Sequence, residues 1–364
     1  MNRWLRLGAL VLIRLVANCR PRPTSPLALK PLLLACTLVL SALLPLPALA
    51  EEFTGYGPLP VRDFQPIQLI FLNLPFERAR ALRPGELAFH LESAESNEIA
   101  TNQASDTANI DATLKFETNR TVLGGTLGVL PGLEIGLDVP MISRFGGFLD
   151  PFVDSVESLF GTSNIERSLY PNNTFGAFNV QRGDTVLFQG RDQQFSLGDI
   201  WTSAKYEVWH PEGFPLFSLR GAIKFPTGRA GGVYGSGKPD FGLGVAAEQQ
   251  FLSWLIAYAN LDVVYPVGPI TQGDLTLNPI LIEHVGGEAY LGWHISYVLQ
   301  QDLYTSPMHG TGARLLDGTG VEISTGFNWM WHPLLCQLGM IDNISPVVAT
   351  ADFTLFARLT YFHQ

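Results

Sequence analysis

Residues 353–362 have the sequence Phe-Thr-Leu-Phe-Ala-Arg-Leu-Thr-Tyr-Phe, and this stretch decides the fold class. Apolar side chains occupy its odd-numbered positions, which are Phe353, Leu355, Ala357, Leu359 and Tyr361. Polar side chains occupy three of the even positions, which are Thr354, Arg358 and Thr360. Because successive side chains of a β-strand point to opposite faces, one face would be apolar and the other largely polar. The segment therefore predicts an amphipathic strand, longer than the common strand of about 5–6 residues.

The same alternation recurs along the chain, for example in residues 133–139, 217–225 and 321–329. After residue 50, no segment reaches the roughly 20 apolar residues that a membrane-spanning helix needs. The pattern therefore predicts an all-β protein built from long amphipathic strands.

Two classes of protein use such strands. A soluble sandwich buries the apolar faces, whereas a membrane barrel turns them to lipid around a polar lumen. Charged residues make up only 15% of this chain, against about 25% in soluble domains. Aromatic residues that fall near strand ends, where membrane girdles lie, are Tyr265, Trp293, Trp329 and Tyr361. We therefore expect a transmembrane antiparallel up-and-down β-barrel in the bacterial outer membrane, because only a closed sheet pairs every backbone group in lipid.

The alternation and the turn residues divide the barrel, residues 85–364, into about twelve strands joined by alternating short turns and long external loops. The predicted strands are 86–97, 110–129, 133–144, 196–209, 216–226, 240–250, 254–265, 285–293, 296–306, 319–330, 334–342 and 351–362. The apolar positions change parity after Phe116, which predicts a bulge in the second strand. Residues 51–84 precede the first strand and are expected to form a periplasmic N-terminal segment.

The long connection over residues 145–195 contains a predicted short helix. Asp150 suits its N-cap, Pro151 its first turn and Gly161 the position after its end. The apolar residues between them fall on one helical face. We expect a loop helix that caps the barrel rim, with a mobile plug and a membrane-surface helix as alternatives.

Residues 1–50 have the features of a secretory signal peptide. Lys30 precedes an apolar run over residues 32–46, and Ala48-Leu49-Ala50 supplies the small residues before the cut. Cleavage is expected after Ala50. A transmembrane helix is disfavoured by prolines at the end of the run, and lipidation at Cys36 is disfavoured because most apolar residues follow it. The leader is unusually long, and a start codon assigned too early would explain this.

The charge distribution excludes nucleic acid as a partner. The first 50 residues hold six basic and no acidic residues, so the formal charge of −10 becomes −16 without them. Such an acidic body repels phosphate backbones. The seven histidines show no paired-ligand spacing, and Cys336 is the sole cysteine after residue 50. We therefore expect no cofactor, no metal site and no catalytic residue.

Charged residues on the predicted inner face are the candidate functional residues. These lumen-lining candidates are Asp199, Lys205, Glu207, Arg220, Lys224, Asp262, Glu288, Asp302 and Arg358. Charges in a poorly hydrated lumen must be paired or hydrated. They are expected to form either an ion-pair lattice that stiffens the wall or a lining that selects a solute. In the lattice, Arg220 and Lys224 would lie alongside Asp199 and Glu207.

Several longer segments together resemble a known family. They are residues 57–72, 133–140, 146–153, 196–200, 225–228, 235–237 and 300–307. As a set they resemble the proteobacterial outer-membrane β-barrel family catalogued as domain of unknown function 3187. Single pieces also resemble barrels associated with phenol and toluene degradation. The resemblance implies an outer-membrane barrel and supplies no activity, ligand or catalytic residue.

The expected function is a passive outer-membrane channel or binding barrel for small solutes, hydrophobic ones included. The alternatives are a structural, envelope-integrity barrel with a packed lumen and no transport, and, less favoured, an outer-membrane lipid-modifying enzyme. A barrel of about twelve strands lies between those filled by side chains and open pores. Expected partners are outer-membrane lipid, lipopolysaccharide and, through residues 351–362, the barrel-assembly machinery.

Overall fold

The computed structural model describes residues 53–101, 110–159, 167, 169–209, 214–270, 275–343 and 350–363. The predicted signal peptide and its cleavage site lie outside these ranges. The strands are β1 (Leu87–Thr101), β2 (Ile110–Leu130), β3 (Leu133–Phe145), β4 (Ala177–Arg182), β5 (Thr185–Gln189), β6 (Gln193–Leu197), β7 (Trp201–Trp209), β8 (Leu216–Lys224), β9 (Asp240–Leu252), β10 (Leu255–Pro266), β11 (Ile280–Gly292), β12 (Ile295–Tyr304), β13 (Gly320–Trp331), β14 (Leu334–Asn343) and β15 (Phe353–His363).

Twelve of these strands close into one antiparallel barrel, which confirms the predicted fold class. In order around the wall they are β1, β2, β3, β7 and then β8 to β15, and β15 pairs with β1. The closing seam runs from Leu87 opposite His363 to Asn97 opposite Phe353. The C-terminal strand whose alternation predicted the barrel therefore closes it. Strands β4, β5 and β6 extend the edges of β2 and β3 beyond the wall.

The outer surface of the wall is apolar. Large side chains on it that are at least about two-fifths exposed include Leu91, Ile135, Leu219, Leu243, Leu261, Val285, Phe327, Leu338 and Leu359. Tyr265, Trp293, Trp329 and Tyr361 are also exposed. The side chains that alternate with this set, such as Arg220 and Asp262, are buried on the inside. No helix among the described residues is long and apolar enough to cross a membrane.

Short turns join the strands at one mouth of the barrel. Among them are the connections after β2, β9, β11 and β13. The two-residue turn after β11 consists of Trp293 and His294, with φ of 52° and 62°. Positive φ at both positions is the mark of a type I′ hairpin turn. The start of β1 and the end of β15 lie at this same mouth, which we call the short-turn mouth.

The predicted bulge after Phe116 is absent, because β2 pairs with β1 without a shift from Thr113 to Leu127. The register shift in β2 lies instead between Gly128 and Leu130. The apolar parity changes because the other edge of β2 changes partner, from β3 to the external strand β4. In this external part of β2 the even-numbered side chains from Ile110 to Phe116 pack into an apolar cluster. Next to it, Glu117 accepts hydrogen bonds from the amides of Phe148 and Leu149 in the loop after β3.

The connection between β3 and β4 carries the predicted helix α1 (Asp150–Leu159). Its Leu149 and Val153 pack with Phe353 at the start of β15, so α1 covers the rim. Asp150 does not act as a simple N-cap, because its carboxylate accepts hydrogen bonds from Lys115, Asn97 and the Asn173 amide. A one-turn helix, α2 (Arg314–Asp317), lies before β13.

Two predicted strands differ most from the structure in their bounds. The predicted strand 196–209 is interrupted, because residues 198–200 leave the sheet between β6 and β7. There Asp199 turns inward and accepts hydrogen bonds from the amides of Gly228 and Ser236, at 2.8 and 3.2 Å. Strand β11 begins at Ile280, five residues earlier than predicted.

Candidate functional site

The centre of the barrel is occupied by the chain's own residues 53–82, which we call the lumen hairpin. The Phe53 carbonyl accepts a hydrogen bond from Gln250, beside the short turn after β9. At its other end the Gly85 amide bonds to the Gly128 carbonyl, beside the turn after β2. Both ends therefore lie at the short-turn mouth. The segment that we expected in the periplasm lies inside the barrel, because its polar groups find partners on the wall.

The first part of the lumen hairpin, residues 53–61, runs inward from the short-turn mouth, and we call it the ascending limb. One wall carboxylate holds it. Glu288 on β11 is fully buried and accepts hydrogen bonds from the amides of Tyr56 and Gly57, at 3.0–3.1 Å. Tyr258, Ser296 and Asn328 on the neighbouring strands also donate to it. Five donors around one buried acceptor satisfy a charge that would otherwise be costly to bury.

Backbone groups of the next residues are bound by amide side chains. Gln300 on β12 accepts from the Leu59 amide at 3.0 Å and donates to the Leu59 carbonyl at 3.1 Å. Gln337 on β14 donates to the Pro58 carbonyl at 3.0 Å. At these residues the backbone of the hairpin is thus hydrogen-bonded to side chains of the wall and not to the backbone of a neighbouring strand.

The tip of the lumen hairpin is a compact turn. Asp63 accepts from the Gln65 amide, and the Gln65 side chain accepts from the amides of Ile67 and Gln68. Arg62 donates to the carbonyls of Asp63, Gln68 and Phe71. Ile67, Ile70 and Phe71 of the tip join an apolar cluster at the external end of the barrel, opposite the short-turn mouth, whereas Phe64 and Leu69 join a second cluster with residues of the wall.

Residues 70–82 of the hairpin return toward the short-turn mouth, and we call them the descending limb. This limb passes a row of basic residues on the wall. Lys224 contacts Asp199 and Asp240, both at 2.9 Å, and donates to the Ile70 carbonyl. Further down, Arg220 pairs with Asp262 on β10 and with Glu77 of the hairpin, whose Oε1 lies 2.9 Å from Nη1.

Beyond Glu77 the limb leaves the lumen through three more polar contacts. Arg78 forms a two-pronged pair with Glu248 on β9, at 2.9 and 3.1 Å. The Ala81 amide donates to Glu207 at 2.6 Å, and the Leu82 amide donates to Glu134 at 2.7 Å.

All nine lumen-lining candidates carry their side chains on the inner side of the wall. Those that are buried are Asp199, Lys205, Arg220, Lys224, Asp262, Glu288 and Asp302, while Glu207 and Arg358 are partly buried. Arg220 does not pair with Asp199 or Glu207 as predicted. Its partner Glu77 belongs to a segment that the sequence placed outside the barrel, so that contact could not be foreseen.

Sequence reasoning missed a second group of inner residues, on the wall formed by β1, β2 and β3. Glu92 pairs with Arg120 at 2.8 Å, and His90 bonds to Asp138 at 2.7 Å. Their even-numbered positions alternate with lipid-facing residues such as Leu91, which was the signal available. His284 on β11 was also missed, and its Nδ1 lies 2.6 Å from Asp302.

Space remains beside the lumen hairpin. A cavity of about 210 Å³, the inner cavity, lies between the hairpin and the walls of β1–β3, β7, β14 and β15. A cavity of about 120 Å³, the outer pocket, lies at the external end beside Ile70 and Phe188. A narrow gap of about 10 Å³, lined by Arg62, Leu69 and Trp201 among others, lies above the inner cavity. The hairpin therefore constricts the lumen at its tip.

Burial and ion pairing act on the acids of the hairpin in opposite ways. Burial raises the pKa of Asp63 to about 7, against the weaker lowering effects of the Gln65 amide and Arg62. Burial would also raise the pKa of Glu77, but Lys205 and Arg220 outweigh it and lower that pKa. Glu77 therefore binds the hairpin to the wall as a carboxylate, whereas Asp63 is close to protonation at neutral pH.

The described residues contain no group of three or more His, Cys, Asp or Glu placed to hold a metal ion. The buried histidines, His90 and His284, bond through a ring nitrogen to aspartates. The second nitrogen of His284 faces the Leu74 carbonyl at 3.2 Å. His284 is thus used to hold the descending limb.

Comparisons with known proteins agree with this architecture. The family described as "Protein of unknown function (DUF3187)" matches residues 34–362. The COG4313 outer membrane channel from Pseudomonas putida F1 is similar in fold, with a TM-score of 0.53 and 12% identity over 78% of this chain and 98% of that one. The NanC porin has a TM-score of 0.42 and 6% identity over 76% and 100% of the two chains. The Pseudomonas putida toluene transporter TodX has a TM-score of 0.35 and 8% identity over 84% and 98%. No curated protein matches the sequence significantly.

Proposed function

The chain belongs to the DUF3187 family, and we propose that it is a passive outer-membrane channel for small solutes that its own lumen hairpin closes. In this proposal the hairpin shifts or withdraws toward the short-turn mouth, and a solute then passes between the inner cavity and the outer pocket. The function is not enzymatic. The similarity in fold to an outer membrane channel accords with the location and with the channel class.

The observation that carries the proposal is how the hairpin is attached. It is bound to the inner face by hydrogen bonds and ion pairs to single side chains and by apolar side chains such as Phe64, Ile67 and Phe76, and it continues into the wall only at β1. A polar contact that is lost inside a wet lumen can be replaced by water. The polar contacts can therefore be exchanged for water one at a time, whereas the apolar contacts of the hairpin favour the inserted state.

The charged residues that line the inner cavity indicate the kind of solute that it would accept. Its lining includes Arg120, Glu92 and Asp138, and charged groups of this kind favour a polar solute over the hydrophobic ones that the sequence also allowed. The constriction at the tip allows no passage in this state, so we expect the resting channel to conduct weakly.

The competing candidate is a structural barrel with a permanently packed lumen. The buried pair of Arg220 and Asp262 and the five donors around Glu288 favour it, since they make the interior stiff. The channel and the structural barrel differ in whether the hairpin ever leaves the lumen.

A reversible cross-link between hairpin and wall tests the proposal. A Cβ added at Gly242 on β9 would lie 3.5 Å from Leu74 Cγ, which suits a disulfide between Leu74→Cys and Gly242→Cys. Cys336→Ser would serve as the background. We expect single-channel openings in planar bilayers from the reduced protein and their loss on oxidation, with Leu74→Cys alone insensitive to redox state. The channel proposal fails if the reduced protein and a variant lacking residues 53–80 are both silent, and the structural barrel then stands.

A further inference from the structure

Three of the arginines around the inner cavity lie near Glu92, and two of them share its carboxylate. Arg62 of the lumen hairpin, Arg120 on β2 and Arg358 on β15 all line this cavity. Glu92 on β1 accepts from Arg120 at 2.8 Å and from Arg358 at 3.4 Å. Arg62 forms no ion pair among the described residues and donates only to backbone carbonyls. Among all residues that line the cavity, seven basic side chains (Arg62, Arg78, Arg80, Arg120, Lys205, Arg220 and Arg358) face four acidic ones (Glu77, Glu92, Glu134 and Asp138), so the lining carries a positive formal charge in a protein whose net charge is −10.

Several guanidinium donors in this group are unused. The Nε of Arg358 is buried and has no hydrogen-bond partner within the described part of the chain. Arg62 uses Nε and Nη2 for the hairpin tip, and no bond from its Nη1 to the described residues is found. Burial and then the neighbouring Arg120 lower the pKa of Arg62 to about 9, and Asp63, Tyr304 and Glu92 offset this only in part, so repulsion between the two cations remains. A buried donor without a partner is costly, and so is a pair of like charges.

An oxyanion would relieve both costs. The planar guanidinium fork matches the geometry of carboxylate and phosphate oxygens. The inner cavity, at about 210 Å³, exceeds an engineered cavity of roughly 150 Å³ that holds benzene. It therefore has room for a small organic anion.

We propose that the inner cavity binds a small carboxylate- or phosphate-bearing solute through Arg62, Arg120 and Arg358. The inference rests on the proposed channel function, since it names the class of solute. The bound anion bridges the hairpin and the wall, because Arg62 belongs to the former and the other two arginines to the latter. Cations and uncharged hydrocarbons do not satisfy these donors.

Calorimetric titration of the purified full chain in detergent with sodium succinate and with inorganic phosphate tests this. We expect saturable binding of at least one anion, weakened about tenfold or more by Arg358→Gln. Arg358→Lys, which keeps the charge without the fork, should bind with intermediate affinity. Arg191→Gln is the matched control, because Arg191 is exposed outside the wall and its loss changes the net charge equally.

If Arg358→Gln fails to show the heat-dependent gel shift of a folded barrel, Arg62→Gln on the hairpin replaces it. Absence of saturable binding by both anions overturns the inference, and so does equal affinity in wild type and the arginine variant. Hydrogen exchange of residues 53–71 should slow on anion addition in wild type and not in the variant. Anion binding does not depend on conductance. A protein that shows no channel openings would therefore overturn the proposed function, and the binding measurement would still test this inference.

Discussion

Arg220 illustrates how much a single inner charge depends on its partners. Its guanidinium lies 2.7 Å from a carboxylate oxygen of Asp262, and it also binds Glu77 and the Pro75 carbonyl. Asp262 is fully buried. An uncompensated charge at such a position is far more costly than the pair itself.

We therefore expect Arg220→Ala to destabilise the barrel by about 3–5 kcal/mol, measured as a lower temperature of the gel-shift transition. Arg220→Met combined with Asp262→Leu should recover most of this loss, because it removes both charges together. Arg191→Ala, at an exposed arginine, should stay within about 0.5 kcal/mol of wild type. Unchanged heat resistance with altered ion preference in Arg220→Ala would instead identify Arg220 as a selectivity residue.

Asp63 gives the hairpin tip a pH dependence whose sign is fixed. Burial raises its pKa to about 7, so between roughly pH 4 and 7 the inserted hairpin binds more protons than the withdrawn one. Insertion should therefore weaken as the pH rises through this window and change little above it. Glu77, whose pKa is lowered, loses its contribution only at more acidic pH.

Amide hydrogen exchange of residues 65–71, corrected for intrinsic rates, measures this effect at pH 5 and pH 8. We expect faster corrected exchange at pH 8 in wild type and no difference in Asp63→Asn. Glu98 and Glu322 lie near Asp63 on the wall. A residual pH dependence in Asp63→Asn equal to that of wild type would assign the effect to those two acids.

For single residues, the sequence predicted which charged side chains lie on the inner face, but it did not predict their ion-pair partners. Strand parity places Lys205 and Asp262 inside, because the period of two leaves no choice once the apolar face is known. The alternation of side chains does not predict which inner residues contact each other across the lumen. Arg62, at the tip of the hairpin, has no strand periodicity around it, so nothing in the sequence associates it with Arg120.

Among the elements, the lumen hairpin has the least sequence signal and the most contacts with functional consequence. It contains Pro58, Pro60, Pro66 and Pro75, which lack the N–H that a sheet ladder needs. The alternation that identified the strands is therefore absent from it. Its place in the lumen is determined by long-range hydrogen bonds, and a local pattern cannot encode these.

Glu288 should control the ascending limb of the hairpin. Replacing it with alanine removes the acceptor for the Tyr56 and Gly57 amides, so we expect residues 53–59 to exchange amide hydrogens at least about tenfold faster. Strand amides in β13 to β15 should keep their protection. Glu283→Ala, on the same strand but on the opposite face, is the control.

If Glu288→Ala instead lowers protection throughout the barrel, Glu288 supports the wall and not the hairpin. Higher single-channel activity together with an intact barrel would agree with closure by the hairpin. These two readouts separate an anchor for a movable element from a part of a rigid lattice.

For the molecule as a whole, the apolar exterior decides where it folds. Leu219 on β8 is 54% exposed on the outer surface, and an arginine facing mid-bilayer lipid costs roughly 2–4 kcal/mol. We expect Leu219→Arg to lower the yield of folded barrel in lipid vesicles substantially, whereas Leu219→Phe should fold normally. Equal yields for the two variants would contradict the assignment of inner and outer faces.

The global fold was predictable because the barrel is specified redundantly. Each strand repeats the same period of two, and closure follows from the need to pair every backbone group in lipid. Strand ends and the external strands β4 to β6 were less predictable, since they extend beyond the region where lipid imposes alternation. The bulge expected after Phe116 was inferred from the same rule, applied where it no longer holds.

The lumen hairpin precedes β1 in the chain, yet its partners come from almost the whole circumference. Glu134 belongs to β3, Glu288 to β11 and Gln337 to β14. We therefore expect the hairpin residues to settle last, after the seam between β1 and β15 has sealed. Because both ends of the hairpin lie at one mouth, it can fold inward without being threaded through the closed ring. We expect an interval during folding in which the barrel is closed while residues 53–82 are still outside the lumen and accessible to proteases.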